Sequence, residues 1–435
     1  MPSSSQQSVL AAPLQPQTVA QRGLGSPVLN SPREASLLLF CEPTPTRCFM
    51  LTDISGVEWR RLLHWLDISG LALYFLERLR QLDLCGIVPP SIVARLEQNQ
   101  VDNTARMRGM VAESVRLQKA FQGEDISYAI LKGLSLYPES VERLELRHQF
   151  DLDFLVAAKS AGAAKAILLR HGYRLYAQSG RSLEFKRGER PAISMRDFYK
   201  AQPGHSIELH IEASGEAASS RLARVDIRTL ADMKMPVLSP VDLFVAQGLH
   251  VYKDICSEFC RASHLLEFRR HILARSNDGA FWRELETAVG SDARVWVGLG
   301  VATQFITKIM GEVAPEALTR WTVARLPASV QLWSKLYANR TAFADVPGTK
   351  FYLLLQSELE RAGLPGKRSV TKALLPSRLP PPVVRAAAKE SMSTRLKRYS
   401  LQGMFVASRF RFHVVQGLLY ACALRRWRKH LRRLS

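Results

Sequence analysis

Two aspartates one residue apart, Asp151 and Asp153, constrain the fold of this chain more than any other feature. They lie in the run Phe-Asp-Leu-Asp-Phe-Leu-Val at 150–156, where apolar side chains occupy every second position after Asp151. The alternation predicts a β-strand, and side chains two residues apart on a strand point to the same face. Two unpartnered carboxylates repel by about 4 kcal/mol at 4 Å for an effective dielectric near 20. The pair therefore requires a cation, and a divalent metal of the Mg²⁺ type with oxygen ligands is the simplest one.

Length and composition favour a globular chain of two to three domains with a large core. The chain has 435 residues, of which 47% are hydrophobic. Its six cysteines form no dense framework, and no positively charged start precedes an apolar segment. No apolar run approaches the roughly 18–20 residues of a transmembrane helix. We therefore expect reduced thiols and a cytoplasmic location rather than a disulfide-stabilised secreted protein.

The positive charge is concentrated at the C-terminal end. Of the net charge of +21, residues 361–435 carry +17, from 18 Lys and Arg against one acid, Glu390. Three interpretations stay open: a solvated basic segment, a site for a polyanion such as RNA, or a segment peripheral to an anionic inner-membrane surface. The basic cluster Arg425–Lys429 suits phosphate contacts. Large apolar residues between 405 and 427, flanked by Arg, suit either an interfacial helix or a helix packed on the rest of the protein.

The order of segments predicts an α+β fold, in which a small mixed sheet with helices is embedded between two helical regions. The expected divisions are a disordered N-terminal segment at 1–34, a helical region at 35–124, an α/β core at 125–215, a helical domain at 240–362, and a Pro-rich hinge with a basic amphipathic helical tail at 363–435. In the core we expect strands near 127–131, 150–156, 174–177, 183–187, 193–198 and 207–211. Beyond it we expect, among others, continuous helices at 256–275 and 316–339.

A third acid, Glu208, lies in the predicted strand Ile-Glu-Leu-His-Ile at 207–211. If this strand lies beside the one with Asp151 and Asp153, three carboxylates converge, as two-metal phosphoryl transfer requires. Glu208 could instead accept a proton from an acceptor hydroxyl. His210 shares its strand face and is a further candidate site residue. The plainer alternative is a set of solvated strand acids with a hydrogen-bonded structural histidine.

A phosphate-binding corner is predicted where the first core strand ends. Lys132 and Gly133 follow that strand and precede a helix-like stretch. A glycine allows close backbone approach, free N–H groups at a helix start bind anions, and Lys132 adds positive charge. Ser135 could add a hydroxyl to the same corner.

Arg147 lies four residues ahead of Asp151. Its guanidinium could bind a phosphate through two parallel hydrogen bonds. The alternative is a surface ion pair with Glu145 or Glu142.

These motifs, taken in order, resemble a known family. The residues that carry the resemblance are Lys132-Gly133, Arg147, Asp151-Leu152-Asp153 and Glu208-Leu209-His210, with helical flanks, over about residues 35–275. They resemble the minimal-core nucleotidyltransferases of the DNA polymerase beta superfamily and, within it, a poorly characterised bacterial group. The resemblance implies that Asp151 and Asp153 are metal ligands, that Glu208 is the third carboxylate, and that Gly133 marks the nucleotide-binding turn.

Two positions depart from the family pattern. Leu134 follows the glycine where the superfamily commonly has Ser or Gly, so Lys132 takes over the phosphate contact. His264 stands at about the place where the group tends to carry an Asp after Leu-His. These departures leave the identity of the nucleotide open.

The resemblance implies a Mg²⁺- or Mn²⁺-dependent transfer of NMP from a nucleoside triphosphate (NTP) to an acceptor, with release of pyrophosphate. The acceptor is a small molecule, a peptide or RNA. One alternative is a catalytically inactive adaptor of the same fold that binds nucleotide or RNA through its basic tail. Another is a phosphotransferase that uses the same carboxylates.

A zinc site at His250, Cys256, Cys260 and His264 is not favoured. The last three recur every fourth residue along one predicted helix, and one helix cannot wrap three ligands around an ion. A packed helix face, with cysteine as a small apolar residue, is the better interpretation.

Overall fold

The computed structural model describes residues 32–52, 54–188, 197–201, 204–213, 220–365, 370–374 and 391–433. Nearly all of the predicted disordered N-terminal segment lies outside the described residues. So do most of the predicted strand at 193–198 and most of the Pro-rich hinge.

A seven-stranded mixed sheet forms the centre of the fold, as the α+β prediction requires. The strands are β1 (Tyr128–Leu131), β2 (Asp151–Val156), β3 (Arg174–Ser179), β4 (Ser182–Lys186), β5 (Ser206–Ile211), β6 (Asp226–Leu230) and β7 (Met233–Val237). Their order across the sheet is β3-β4-β5-β2-β1-β7-β6. β5 runs parallel to β2 and β7 parallel to β1, whereas the other pairs are antiparallel.

Helices precede and follow the strands along the chain. They are α1 (Pro32–Leu38), α2 (Pro45–Phe49), α3 (Gly56–Ile68), α4 (Ala72–Gln81), α5 (Pro90–Gln122), α6 (Ala161–Arg170), α7 (Pro240–Ile255), α8 (Ala262–Ala274), α9 (Gly279–Val289), α10 (Ala293–Met310), α11 (Glu316–Thr319), α12 (Ala328–Ala342), α13 (Tyr352–Arg361), α14 (Val370–Leu374) and α15 (Met392–Leu431). None of these described helices has the length and apolarity needed to cross a bilayer.

Two hydrophobic cores hold the chain together. One lies between the sheet and the helices α5 and α6, and includes Phe121, Phe154 and Ile167. The other joins α3 and α4 to the helices that follow the sheet, with Trp65 and Trp333 both in it. The N-terminal and C-terminal helical regions that the sequence separates therefore share one core.

The hairpin β6–β7 lies beyond the predicted end of the sheet at residue 215. Its turn consists of Ala231 and Asp232, both with positive φ angles of 49° and 61°. Such two-residue turns are usually made by Asn-Gly or Asp-Gly, because those residues tolerate positive φ. An Ala-Asp turn gives no such signal, which is why the hairpin was not predicted.

Two predicted helices are interrupted. The helix expected at 256–275 begins only at Ala262. The hydroxyl of Ser257 lies 2.7 Å from the carbonyl oxygen of Asp254 and 2.9 Å from that of Phe259, and its single proton is shared between them where α7 ends. The helix expected at 316–339 is split into α11 and α12. Pro327 lies just before α12, where a proline starts a helix and cannot continue one.

Candidate active site

Parallel pairing of β2 with β5 brings the predicted acids together. Asp151 lies opposite Ser206, and Asp153 lies opposite Glu208. On the other side of β2, Leu131 at the end of β1 is opposite Asp153. The chain emerging from β1 therefore places Lys132 directly above the acidic face.

Lys132 lies between the two facing carboxylates. Its Nζ is 2.6 Å from Oδ1 of Asp153 and 3.1 Å from Oε2 of Glu208. His210 Nε2 is 3.0 Å from the same Asp153 oxygen and 3.5 Å from Glu208. Asp153 is only 4% exposed. The acidic pair is thus balanced by two cationic groups of the chain itself.

The hydrogen bonds of this cluster shift its ionisation. Burial lowers the pKa of His210, but its bonds to Asp153 and Glu208 outweigh burial and raise the pKa to about 8. The bond from His210 holds the pKa of Glu208 well below its usual range, and the Ser182 hydroxyl, which donates to Oε1 at 2.6 Å, lowers it further. Burial also lowers the pKa of Lys132, but its contacts with the two acids raise it overall. Near neutral pH Glu208 is therefore ionised, and Lys132 and His210 are both charged.

Asp151 differs from its neighbour. It is solvent-accessible at the edge of the site, and it has no hydrogen-bond or ion-pair partner among the described residues. The protein around it still restricts its hydration, which raises its pKa, and the negative charge of Asp153 raises it further. An accessible carboxylate without a partner, beside a buried one, is an open position for a cation.

The turn after β1 is strained at Lys132 rather than at Gly133. Lys132 has φ 50° and ψ −144°, a region that favours glycine and costs a side chain about 1–3 kcal/mol. Gly133 is needed for a different reason: a Cβ there would lie 2.1 Å from Oε1 of Gln149. Ser135 is buried and donates its hydroxyl to the carbonyl of Lys132 at 2.7 Å. Ser135 thus holds the turn, and its predicted nucleotide contact stays a prediction.

Arg147 pairs with neither Glu142 nor Glu145. Its Nε is 3.2 Å from Oε1 of Glu267 on α8, and its Nη1 donates to Gln149 at 2.8 Å. Its side chain is only 12% exposed. The guanidinium is therefore held in a fixed orientation against the site, with Nη2 free of any partner among the described residues.

A cavity of about 230 Å³ lies beside the acidic cluster, between Lys132 and His210 on one side and α7 and α8 on the other. Lys132, Arg147 and His210 line it from the sheet side, and His250 and His264 from the helix side. Its remaining walls are largely apolar, with Leu136, Leu238, Leu243 and Val251 among them. A cavity with apolar walls and a few converging polar groups is typical of a small-molecule site.

The donor set fits a divalent cation. Ligand atoms of Asp153, Glu208 and His210 all lie within 4.8 Å of one another, and the carboxylate of Asp151 is on the same strand face. Carboxylate oxygens are the ligands that Mg²⁺ prefers, and a histidine nitrogen also suits Mn²⁺. A cation between Asp153 and Glu208 would have to displace the ammonium group of Lys132.

A second cluster was missed by the sequence analysis. Ligand atoms of His250, Asp254 and His264 also lie within 4.8 Å of one another. Neither Cys256 nor Cys260 belongs to it. A helix continuous through Cys256, Cys260 and His264, as the sequence predicts, gives no reason to pair His264 with Asp254. The loop before α8 instead brings His264 back over α7.

Three other residues that shape the site carry no sequence signal of their own. Only the fold brings Ser182 to Glu208. It likewise places Gln149 against Gly133 and Glu267 against Arg147. Contacts between residues so far apart in sequence could not have been inferred without the pairing of strands and helices.

The sequence matches the model of a family described as "Uncharacterised nucleotidyltransferase" over residues 55–305. This match confirms the predicted resemblance. Among solved structures, the chain is similar to an antigenic nucleotidyltransferase-like protein from Paracoccidioides brasiliensis, with 17% sequence identity. That alignment covers 48% of this chain and 94% of the other, with a TM-score of 0.28. No curated protein matches the chain.

Proposed function

The chain belongs to the family of uncharacterised nucleotidyltransferases, and from this premise we propose that it is a Mg²⁺- or Mn²⁺-dependent nucleotidyltransferase. It would transfer NMP from an NTP to an acceptor and release pyrophosphate, in the cytoplasm where NTPs are available. The observation that carries the proposal is the arrangement of Asp151 and Asp153 on β2 against Glu208 on β5. A buried carboxylate and a half-buried one, beside an accessible carboxylate without a partner, suit the binding of metal-bound phosphates.

Asp151, Asp153 and Glu208 would hold the metal. When bound, the metal neutralises charge on the phosphates and activates the attacking hydroxyl. Glu208 is better suited to this role than to proton transfer, because the bonds from His210 and Ser182 lower its pKa and make it a weak proton acceptor. His210 keeps Asp153 and Glu208 oriented through its contacts with both.

Lys132 and Arg147 would bind the phosphates. The ammonium group of Lys132 now contacts Asp153 and Glu208, and a metal at those acids would release it toward the cavity that it lines. Arg147 lines the same cavity, and Glu267 fixes its orientation. A fixed guanidinium and a mobile ammonium would together hold the triphosphate over the acidic face.

Labelled NTPs test the proposal directly. Each of the four NTPs is incubated with candidate acceptors and Mg²⁺ or Mn²⁺, and label transfer and pyrophosphate release are measured. We expect Asp153→Asn to lower transfer by at least about 100-fold. Asp226→Asn, an exposed acid on β6 at the far edge of the sheet, should retain it. Full activity in Asp153→Asn would overturn the assignment.

The same assay separates the alternatives. Release of ADP in place of pyrophosphate would indicate a phosphotransferase. An inactive adaptor would show no metal-dependent NTP binding in a titration with Mg²⁺, although its tail would still bind a polyanion.

We also propose that the tail binds an anionic membrane surface. Tyr420 and Trp427 of α15 pack into the helical core, whereas Phe410, Val414 and Leu418 are 70%, 46% and 65% exposed. The last three recur every fourth residue and so form one stripe along the helix. The sequence from 391 to 433 contains no Asp or Glu.

An exposed apolar stripe on an acid-free helix favours a lipid surface over RNA. Aliphatic side chains gain by entering the acyl boundary, while the arginines meet anionic headgroups. Phosphate contacts to RNA would use the arginines but leave the apolar stripe in water. Binding to anionic but not to neutral vesicles tests this partner. Binding to RNA alone would favour the polyanion.

A further inference from the structure

We infer that His250, Asp254 and His264 form a second metal site, which takes a single transition-metal ion of the Zn²⁺ class. The site lies on the helix side of the cavity, opposite the acidic face of the sheet. It is separate in residues and in donor chemistry from the carboxylate site proposed above.

The spacing of the three residues suits one ion. His250 and Asp254 lie four residues apart on α7, and therefore on one helix face. His264 comes from the first turn of α8, which packs against that face. Two ligands one helical turn apart plus a third from a neighbouring element is a common plan for zinc sites.

The distances place the donors around a common point. Nδ1 of His264 is 2.7 Å from Oδ2 of Asp254, and the rings of His250 and His264 have centroids 4.7 Å apart. All three ligand atoms lie within 4.8 Å of one another. Ligands about 2.0–2.2 Å from a tetrahedral ion lie roughly 3.4 Å apart. The Asp254–His264 pair would therefore have to open slightly to admit the ion.

A structural hydrogen bond explains only part of this cluster. The Asp254–His264 contact accounts for two of the residues. His250 makes no hydrogen bond with any described residue, although it lies against the His264 ring and lines the cavity. A half-buried imidazole with no partner, beside a His–Asp pair, is explained by a shared ligand.

The donor set selects the metal. Two imidazoles and one carboxylate favour Zn²⁺, Co²⁺ and related ions over Mg²⁺, which prefers oxygen alone. Three protein ligands leave one position open, as in catalytic rather than structural zinc sites. Here that position faces the cavity shared with Lys132 and Arg147. If the proposed function holds, the open position would take an oxygen of the acceptor opposite the phosphates.

Cobalt titration of the metal-stripped full chain tests the site without any activity assay. Tetrahedral Co²⁺ gives visible absorption bands, and Zn²⁺ should displace it at one equivalent. We expect His250→Gln and Asp254→Asn each to weaken this binding at least tenfold. Asp254→Asn keeps an oxygen that can accept the His264 hydrogen bond, so it should remain folded. The unfolding temperature without metal checks this for both variants.

Two sets of controls assign the ion. The double variant Cys256→Ser/Cys260→Ala should bind Co²⁺ as the wild type does, since the thiols lie outside the cluster. Asp153→Asn should also retain the Co²⁺ spectrum even if it abolishes nucleotide transfer, so the two proposals can fail separately. Undiminished Co²⁺ binding in both folded variants, His250→Gln and Asp254→Asn, would overturn the inference. If only Asp153→Asn lost the Co²⁺ absorption bands, the ion would be bound at the carboxylate site and the inference would be wrong.

Discussion

The acidic cluster supplies its own counter-charge at the level of single residues. From the sequence, Asp151 and Asp153 required a cation, and a metal was the simplest choice. Lys132 meets part of that requirement, because its ammonium group lies between Asp153 and Glu208. The chain can therefore fold without metal at modest electrostatic cost. The same contact makes Lys132 a competitor of any metal that binds there.

This competition predicts an unusual effect of removing Lys132. Lys132→Met should raise the affinity for Mn²⁺ about tenfold, because a positive charge within a few ångströms of the ion is lost. Nucleotide transfer should fall in the same variant, since a phosphate contact is lost. Free Mn²⁺ measured by electron paramagnetic resonance gives the affinity. Lys234→Met, which removes an exposed lysine from β7, should leave it unchanged. Equal or weaker Mn²⁺ binding in Lys132→Met would contradict the competition.

Gly133 should matter for packing rather than for nucleotide approach. A Cβ at 133 would lie 2.1 Å from Oε1 of the buried Gln149, which in turn accepts a bond from Arg147. We expect Gly133→Ala to lower the free energy of unfolding by about 1–3 kcal/mol. In a protein that already carries Gln149→Ala, the Gly133→Ala change should cost much less. Urea unfolding of the double variant and of Gln149→Ala alone measures this cost. Additive losses would mean that the alanine clashes elsewhere.

At the scale of elements, the sequence predicted the central strands well and the connections poorly. The alternation around Asp153 and Glu208 located β2 and β5, because strands with one acidic and one apolar face have a clear period of two. It could not predict that they are parallel neighbours. The turn at Ala231 and the break before Ala262 depend on φ angles and on a serine hydroxyl, neither of which has a distinctive residue pattern. The missed cluster around Asp254 follows from that break.

Close packing of α7 against α10 fixes the helix side of the cavity. A Cβ at Gly248 would lie 2.4 Å from Cδ2 of Leu299, and one at Gly298 would lie 2.5 Å from Cδ2 of Leu249. We expect Gly248→Ala to cost about 1–3 kcal/mol of unfolding free energy in urea titrations. Gly417→Ala is the matched control, since nothing lies within 4 Å of its Cβ position on α15. It should be neutral or stabilise by up to about 1 kcal/mol. If Gly248→Ala and Gly417→Ala changed the free energy of unfolding equally, α7 and α10 would not be closely packed at Gly248.

A buried acid at the end of α3 makes stability depend on pH. Asp67 is 1% exposed and contacts Arg95 at 2.6 Å and the hydroxyl of Tyr199 at 3.0 Å. Burial outweighs these contacts and raises its pKa to about 6, above the unfolded value near 3.9. The folded state therefore holds the proton more tightly, and the stability from this group is lost as pH rises from about 4 to 6.

Asp67→Asn should remove that dependence. Two pKa units correspond to about 3 kcal/mol, so the variant should gain up to that much relative to wild type between pH 4 and pH 7. The measurement is the free energy of unfolding of Asp67→Asn minus that of the wild type, at each pH. A flat difference for Asp67→Asn across this pH range would show that burial does not raise the pKa of the Asp67 carboxyl.

At the scale of the whole molecule, the family match ends at residue 305, but the packing continues beyond it. Trp333 of α12 and Trp427 of α15 belong to the same core as Trp65 of α3. The indole N–H of Trp427 donates to Glu358 on α13 at 2.9 Å. The C-terminal end of α15 is therefore anchored to the body of the protein. Its exposed stripe consequently has a fixed position on the molecular surface.

This anchoring allows the membrane proposal to be tested in the full chain. Phe410 and Leu418 lie on the exposed stripe and contribute nothing to the buried core. Replacing both with Ser should weaken binding to vesicles rich in phosphatidylglycerol by at least tenfold, because each apolar side chain contributes about 1.5–3 kcal/mol when it leaves water. The unfolding temperature should not change. Val101→Ser, at a 64% exposed apolar position on α5, is the control and should bind as the wild type does.

Changes in salt concentration and in lipid charge distinguish the electrostatic from the apolar contribution to vesicle binding. Raising the ionic strength should weaken vesicle binding by screening the arginines, while the loss caused by the double variant should persist at every salt concentration. Vesicles of phosphatidylcholine alone should bind weakly, because the apolar stripe acts without its electrostatic attraction. If Phe410→Ser/Leu418→Ser bound anionic vesicles as tightly as the wild type, the basic residues alone would account for binding. The stripe would then not contact lipid, and a polyanion such as RNA would become the better partner for this tail.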